Sequence, residues 1–241
     1  MITHSTSDDI YIGRGAGYRL KTELEKAKKS IKIISPYLTP SFVEDLMAFS
    51  RKGIDITLIT SNDVREGDGR YSFFEHKDII KQKRHTNEKE KEIRDMGLKY
   101  SLYGLIIPLI LLFFKFYLFM GISLVVIGIV YSYFFKKKIY TYSYYSPIKL
   151  KVVPDEYHDR NNGRFLVHAK VFVIDDQVAY LGSVNYTYKA FKSNYETITR
   201  ISTQKAVMDI SKEVDKLLDD EDVGSKDIND WGKELYPEPK H

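Results

Sequence analysis

Residues 167–196 read VHAKVFVIDDQVAYLGSVNYTYKAFKSNYE, and this stretch decides the fold. Two apolar runs, Val171 to Ile174 and Val178 to Leu181, flank the polar segment Asp175-Asp176-Gln177. That pattern predicts two strands joined by a tight turn, and the first strand is expected to be buried on both faces because no polar residue interrupts it. A further strand is predicted at Tyr195-Glu196-Thr197-Ile198. The stretch therefore predicts part of a central sheet.

The first of these strands carries two side chains suited to phosphate chemistry. His168 is a side chain that can act both as a nucleophile and as a proton carrier near neutral pH. Lys170 lies two residues later, so both side chains point to the same face if Val167 to Ile174 is a strand. A nucleophile and a cation are then expected to face one pocket.

Polar groups follow at the end of the second run. Gly182 permits a close approach of the backbone to a ligand, and Ser183 and Asn185 supply short hydrogen-bond donors for phosphate oxygens. Glu196 lies in the next predicted strand, where its carboxylate could hold an imidazole in one tautomer. Together these residues predict a site that binds and cleaves a phosphate ester.

The spacing H-x-K-x4-D-x6-G-S-x-N, with a glutamate eleven residues after the asparagine, resembles the HKD signature of the phospholipase D superfamily. Residues 30–60 resemble the opening β-α-β unit of that family. The resemblance implies an α/β fold with a mixed, mostly parallel sheet flanked by helices. In the alternative, a strand hairpin with incidental His, Lys and Asn, chance would have to fill seven fixed positions.

The resemblance also implies a mechanism. Family members build one site from two HKD copies, and residues 1–167 contain no second H-x-K-x4-D, so a homodimer is implied. His168 of one protomer is expected to attack the phosphorus and form a phosphohistidine, while the partner's His168 protonates the leaving oxygen and then activates water. The resemblance implies no cofactor and no metal.

The resemblance assigns roles to the remaining motif residues. Lys170, Ser183 and Asn185 are expected to bind the non-bridging oxygens of the phosphate. Glu196 is expected to orient His168 and raise its basicity. Asp175 is expected to support the fold more than to touch substrate.

Composition narrows the classes of protein. The chain has 241 residues, a formal net charge of +4 and no cysteine, so disulfides and thiolate metal sites are excluded. Its six histidines show neither H-x3-H nor H-E-x-x-H spacing, so a zinc site is not expected. The mildly basic balance by itself names no partner.

The segment between Lys99 and Phe135 contains one charged residue, Lys115, in an otherwise apolar and aromatic run. As one helix it would extend about 55 Å, well beyond the roughly 30 Å of a hydrocarbon core. We therefore predict a membrane hairpin of two helices, Tyr100 to Phe114 and Tyr117 to Phe135, that turns near Lys115. A buried helical hairpin of a soluble protein and a re-entrant dip are the alternatives.

Flanking charge predicts the orientation of the hairpin. The basic residues on its two sides are Lys77, Lys81, Lys83, Arg84, Lys89, Lys91, Arg94 and Lys99 before it and Lys136, Lys137 and Lys138 after it. Both ends are therefore predicted to be cytoplasmic in a multi-pass protein of the cell membrane, with a cytoplasmic catalytic domain. This agrees with the requirement that both halves of the sheet lie on the same side. The tyrosines at 140, 142, 144 and 145 could stack on bases, but placement at the membrane interface explains them with fewer assumptions.

The predicted domain organisation follows from these segments. A phospholipase D-like domain is split into residues 1–61 and 136–218, the second part with the motif and a final amphipathic helix. Residues 62–98 form a charged, helical linker, and residues 99–135 form the hairpin. Residues 219–241 are an acidic, solvated tail.

Three functions stay open at this point: two enzymes with different substrates and one protein without activity. Nucleic acid is favoured, because a compact chain with one HKD copy resembles the dimeric nuclease branch. Phospholipid is the alternative, since a membrane anchor holds the site close to lipid. A non-catalytic membrane scaffold is the third. A nuclease needs a basic groove, and the residues predicted for it are Lys189, Lys192, Arg160 and Arg164.

Overall fold

The structure is a computed structural model that describes residues 2–4, 8–62, 76–154, 167–221, 223 and 226–239. Its contacts divide the chain into two compact units. The first unit comprises Met1–Lys81 and Tyr145–Trp231, and the second comprises Gln82–Tyr144 and Gly232–His241.

The regular elements alternate between strands and helices along most of the chain. In order they are β1 (Ile2–His4), β2 (Asp8–Arg14), α1 (Gly17–Leu24), β3 (Ser30–Ile34), α2 (Pro40–Arg51), β4 (Asp55–Ser61), a 3-10 turn (His76–Asp78), β5 (Lys81–Thr86), α3 (Glu88–Gly104), α4 (Ile106–Phe113), α5 (Tyr117–Phe135), β6 (Tyr140–Tyr145), β7 (Lys149–Val153), β8 (Val171–Ile174), β9 (Val178–Gly182), α6 (Tyr188–Lys192), β10 (Tyr195–Ile201), α7 (Gln204–Asp219) and α8 (Ile228–Leu235).

The first unit is built on a mixed sheet, which confirms the predicted α/β class with flanking helices. Among the described residues its strand order is β1-β2-β10-β9-β8-β3-β4-β7. The parallel part is smaller than predicted, since only β3 with β4 and β4 with β7 run parallel. The other neighbours are antiparallel. One reason is the tight turn at Asp175 and Asp176, with φ of 55° and 53°, because a two-residue turn can join only antiparallel strands.

The predicted β-α-β unit is present as β3, α2 and β4. Thr39 precedes α2 as its N-cap and Pro40 occupies the first turn, where the fixed φ of proline suits a helix and its missing N–H is not needed. Phe42, Val43 and Leu46 of α2 are buried in the core on one face of the sheet. Burial of each such side chain contributes about 1.5–3 kcal/mol to folding.

Helix α7 covers the opposite face. Val207 and Val214 pack with Val173 and other sheet residues in a second core. Lys32 of β3 binds this helix to the sheet, since its Nζ donates to the Ser211 hydroxyl at 2.8 Å and to the Asp215 carboxylate at 2.6 Å. Helices on both faces thus bury the middle of the sheet.

The second unit contains the two-stranded sheet of β5 and β6 and the helices α3, α4 and α5. The prediction of a charged, helical linker is wrong for Lys81–Thr86, which forms β5. Pairing with β6 supplies the backbone hydrogen bonds of this polar segment. The helix begins only after Asn87, whose side chain accepts a hydrogen bond from the backbone N–H of Glu90 at 3.2 Å, as an N-cap residue does.

The apolar segment turns at the predicted position. Lys115 has φ of 61°, and it separates α4 from α5. The first predicted helix differs, because it starts at Glu88 and is interrupted at Leu105, between α3 and α4. Pro108 explains the break, since it cannot donate a hydrogen bond to the carbonyl of Gly104. Glu88–Phe113 and Tyr117–Phe135, with 26 and 19 residues, are long and apolar enough to cross a membrane.

The predicted solvated tail is only partly correct. Residues 228–235 form α8, and Trp231 is 9% exposed. Its ring stacks on His76 with the ring centroids 5.7 Å apart. Trp231 therefore packs as a large aromatic side chain within the first unit.

Candidate active site

The predicted site residues converge at one edge of the central sheet. Val171, which begins β8, pairs with Ile34 at the carboxyl end of β3, and Leu181 near the end of β9 pairs with Val171. Gly182 in turn pairs with Ile198 of β10. The segments that lead into β8, out of β9 and into β10 therefore meet beside the carboxyl ends of the parallel strands, where α/β sheets bind ligands.

His168 and Lys170 lie next to each other. The strand begins at Val171 and not at Val167 as predicted, so both residues lie in the segment that leads into it. The Lys170 ammonium donates to the backbone carbonyl of His168 at 2.8 Å and is 3.2 Å from each ring nitrogen of His168. His168 is exposed and Lys170 is 8% exposed. A buried cation thus contacts an exposed imidazole.

Burial and a carboxylate act on Lys170 in opposite directions. Loss of solvent lowers the pKa of its ammonium, while the negative charge of Glu196 raises it, and the net pKa is lower than usual. Glu196 is itself 8% exposed. The two buried charges are of opposite sign, which offsets part of the desolvation penalty of each.

Glu196 is bound by Ser183 and Asn194. The Ser183 hydroxyl donates a short hydrogen bond to one carboxylate oxygen, and the Asn194 amide donates to the other at 3.1 Å. No hydrogen bond between Glu196 and His168 occurs in the described part of the chain. Glu196 therefore does not orient His168 through a direct contact, as was expected. Asn194, which lies directly before β10, was not identified from the sequence.

Ser183 and Gly182 join β9 to β10. The Ser183 hydroxyl also accepts from the backbone N–H of Thr197 at 3.0 Å. A Cβ at Gly182 would collide with the carbonyl oxygen of Thr197. The glycine of the motif is therefore required by the close approach of two strands, which is a different reason from the ligand contact inferred from the sequence.

Asn185 has a buried side-chain oxygen with no hydrogen-bond partner among the described residues. Leaving such a group unpaired costs about 1–3 kcal/mol, so the motif itself holds an unsatisfied hydrogen-bond acceptor. The segment that carries it is fixed from behind, since the Tyr186 N–H donates to the Ser35 hydroxyl at 2.9 Å and the Tyr186 hydroxyl donates to the Phe42 carbonyl at 3.2 Å. Sequence reasoning did not identify Ser35 or Tyr186 as supports of the site.

Asp175 lies away from these residues. It follows β8, whereas His168 precedes it, and seven extended residues span about 20 Å. Its carboxylate accepts hydrogen bonds from the backbone N–H groups of Lys28, Lys29 and Ser30 at 2.7–3.1 Å. Burial acts to raise the pKa of Asp175, but these N–H groups outweigh it and the pKa is lowered. Asp175 holds the start of β3 and is not part of the cluster around His168.

The residues predicted for a basic groove are described only in part. Lys189 and Lys192 lie on α6, directly after the motif, and the Lys192 ammonium donates to the Tyr188 hydroxyl at 2.6 Å. Arg160 and Arg164 fall outside the described residues. Where the chain is described, no three His, Asp or Glu side chains cluster so that they could hold a metal ion.

Comparison with known proteins gives one family and several distant relatives. The family model for the cardiolipin synthase, PLD-like domain, matches residues 20–218. Cardiolipin synthase 1 of Bacillus cereus is 31% identical over 74 residues, which are 31% of this chain and 14% of that protein. The chain thus matches only a small part of the length of this relative.

Two solved structures are similar over most of their length. NucT from Helicobacter pylori has a TM-score of 0.46 and 14% identity, with 90% of this chain and 97% of the other covered. Nuc from Salmonella typhimurium, a phospholipase D family member, has a TM-score of 0.42 and 14% identity, with 87% and 93% covered.

Proposed function

Because this chain belongs to the phospholipase D superfamily, in the family of cardiolipin synthase PLD-like domains, we propose that it cleaves phosphodiester bonds. The observation that carries the proposal is the contact between the buried Lys170 ammonium and the exposed imidazole of His168. A nucleophile with a neighbouring cation can attack a phosphorus atom while the cation neutralises the phosphate oxygens.

The reaction needs two histidines. An imidazole nitrogen of His168 attacks the phosphorus, the bond from phosphorus to the leaving oxygen breaks, and the partner's His168 gives that oxygen a proton. The partner's His168 then takes a proton from water, whose oxygen attacks the phosphohistidine, and the P–N bond breaks. The exposure of His168 in the single chain agrees with a site that a second copy completes.

The other site residues bind and position the phosphate. Lys170 and the Asn185 amide interact with the non-bridging oxygens, whose negative charge increases in the transition state. Glu196 acts through Ser183, because its carboxylate accepts the hydrogen bond of the Ser183 hydroxyl. This leaves Glu196 as a positioning residue and as the charge that balances Lys170.

Nucleic acid is the substrate class that the surroundings of the site support best. Exposed side chains beside the motif residues include Tyr188, Lys192 and Tyr195, with Tyr188 51% and Tyr195 75% exposed. The Lys192 ammonium covers one face of the Tyr188 ring, 5.1 Å from its centroid. Aromatic rings stack on bases and lysines bind the phosphate backbone. Phospholipid is the second candidate, favoured by the family's description and by the two helices of membrane-spanning length.

In the same proposal, the hairpin of residues 99–135 crosses the cell membrane twice and leaves a phospholipase D-like domain, built from residues 1–61 and 136–218, in the cytoplasm. The chain has no cysteine, so single cysteines test the topology. A membrane-impermeant thiol reagent on intact cells should label Phe116→Cys and not Thr141→Cys. Labelling of Thr141→Cys alone would reverse the topology.

The activity test uses the full chain in detergent with excess chelator. Labelled single- and double-stranded DNA, RNA and vesicle phospholipid are offered in parallel, with His168→Ala as the inactive variant and exposed His85→Ala as its matched control. Nucleic acid cleavage that is lost only in His168→Ala supports a nuclease, and headgroup release with the same pattern supports the lipid enzyme. Absence of turnover by a confirmed dimer would favour a scaffold without activity.

A further inference from the structure

A basic surface lies at the open end of the helical hairpin. We define the basic ribbon as β5, β6 and the three lysines between α5 and β6, Lys136 to Lys138. Four of its cations are exposed: Lys83, Arg84, Lys136 and Lys138. Among the described residues, none of these four forms an ion pair, whereas Lys137 is bound to Glu90 at 2.8 Å. The ribbon thus presents a positive charge that the protein does not neutralise.

The helices set the depth of this ribbon. Gly97 of α3 lies so close to the ring of Phe134 on α5 that a Cβ has no room. About two helical turns towards the start of α3, Glu90 forms an ion pair with Lys137. From Gly97 to Glu90 is about 10 Å at 1.5 Å per residue. Headgroups extend roughly 6 Å beyond each side of the hydrocarbon core. If Phe134 marks the edge of the hydrocarbon, the ribbon lies at the outer boundary of the headgroup layer.

Three tyrosines of β6 are already engaged within the second unit. Tyr144 is 8% exposed and its ring stacks on Tyr236 with the ring centroids 6.2 Å apart, and the Tyr142 hydroxyl donates to the Pro239 carbonyl at 2.8 Å. The Arg84 guanidinium lies over the Tyr140 ring, 4.5 Å from its centroid. Of the four tyrosines of the strand, Tyr145 is left 50% exposed. Stacked nucleic acid bases need free ring faces, whereas anionic headgroups need only the cations.

We propose that the basic ribbon binds the anionic headgroups of phospholipids at the membrane surface. The inference rests on the membrane hairpin of the proposed function and is independent of the catalytic reaction. A lysine or arginine near an anionic surface favours binding roughly fivefold, so four exposed cations give a strong preference over neutral lipid. The interaction is electrostatic, so salt should weaken it.

The test measures which lipid surrounds the ribbon. The full chain with Thr141→Cys, labelled with a fluorophore at this exposed position of β6, is reconstituted in phosphatidylcholine vesicles. Traces of nitroxide-labelled phosphatidylglycerol or nitroxide-labelled phosphatidylcholine are added in separate samples. We expect the anionic lipid to quench the fluorophore at a concentration at least about tenfold lower than the neutral lipid does.

Two four-residue variants separate local from overall charge. The ribbon variant changes Lys83, Arg84, Lys136 and Lys138 to Gln and should lose the preference. The control removes four exposed lysines of the first unit, Lys26, Lys52, Lys205 and Lys212, and should keep it. If the ribbon variant does not fold, 1 M salt on the unchanged ribbon gives the same test, since the Debye length then falls to about 3 Å.

The outcomes distinguish this proposal from the ones on which it rests. Equal quenching by both lipids overturns the headgroup proposal and leaves the hairpin intact. Quenching by neither lipid means that the hairpin is not in the membrane, which overturns both. If an oligonucleotide changes the fluorescence while the two lipids quench equally, the ribbon binds nucleic acid. Cleavage activity enters none of these readouts.

Discussion

The two compact units differ in the exposure of their apolar side chains. In the first unit Ile31, Ile33 and Leu58 are fully buried between helices on the two faces of the sheet. In the second unit Phe113 is 82% and Leu118 is 73% exposed on helices of membrane-spanning length. The first unit therefore has an apolar core of its own, whereas the helices of the second unit expose apolar side chains that another apolar phase would stabilise.

The largest expected effect is on the unfolding free energy, when one phenylalanine in each unit is replaced by alanine. Phe172→Ala removes a ring that is 1% exposed, so we expect the first unit to lose about 3–5 kcal/mol of unfolding free energy. The matched variant Phe119→Ala removes a ring that is 60% exposed on α5. It should change the unfolding free energy by less than about 0.5 kcal/mol. Urea unfolding followed through Trp231, in detergent, measures both. Equal losses would show that α5 is packed as a soluble core helix.

A smaller effect is expected at the site. Lys170→Met keeps the length of the side chain and removes the cation beside His168. Turnover of the substrate should fall about 100- to 1000-fold, the usual effect of removing one group that stabilises transition-state charge. The unfolding free energy should also fall, because the buried Glu196 carboxylate loses the opposite charge that offsets its desolvation.

Its controls separate chemistry from folding. Lys170→Arg keeps the charge and should recover part of the activity, and exposed Lys205→Met on α7 should change neither turnover nor stability. The ratio of turnover between Lys170→Met and the unchanged chain should be the same in detergent and in vesicles. A ratio that depends on the membrane would mean that the site of the first unit is not independent of the apolar helices.

How much of this could be predicted from sequence depends on how local each signal is. The turn at Asp175 and Asp176 and the reversal at Lys115 were both predicted, because a few adjacent residues determine each of them. The motif spacing also led to the prediction that Lys170 and His168 face one pocket. These features need no knowledge of distant contacts.

The features that sequence reasoning missed depend on residues far apart in the chain. Residues 81–86 read KQKRHT, which has no apolar alternation, and they become a strand only because residues 140–145 pair with them. The stacking of Trp231 on His76 likewise joins positions 155 residues apart. The hydrogen-bond partners of Glu196 are close in sequence, yet the motif alone does not predict which donors its carboxylate will bind.

The smallest effect is expected at Asp175, and it concerns acid stability of the first unit alone. Its folded pKa lies below the ordinary value of 3.8, because the three backbone N–H groups outweigh the burial that opposes them. The stabilisation is therefore fully present above pH of about 4 and is lost as the pH falls through the lower folded pKa. Asp175→Asn should lose about 1–2 kcal/mol near pH 7, as for hydrogen bonds to a charged group.

The pH dependence provides the sharper measurement. The difference in unfolding free energy between the unchanged chain and Asp175→Asn should shrink below pH 4, while exposed Asp209→Asn on α7 should show no such difference at any pH. A constant difference down to pH 2 would mean that the charge of Asp175 contributes nothing beyond its hydrogen bonds. Extraction of the chain from membranes should be unaffected by Asp175→Asn, because β3 and β8 belong to the unit that is stable through its own core. A variant that instead came out of the membrane would mean that the two units do not keep their stability separately.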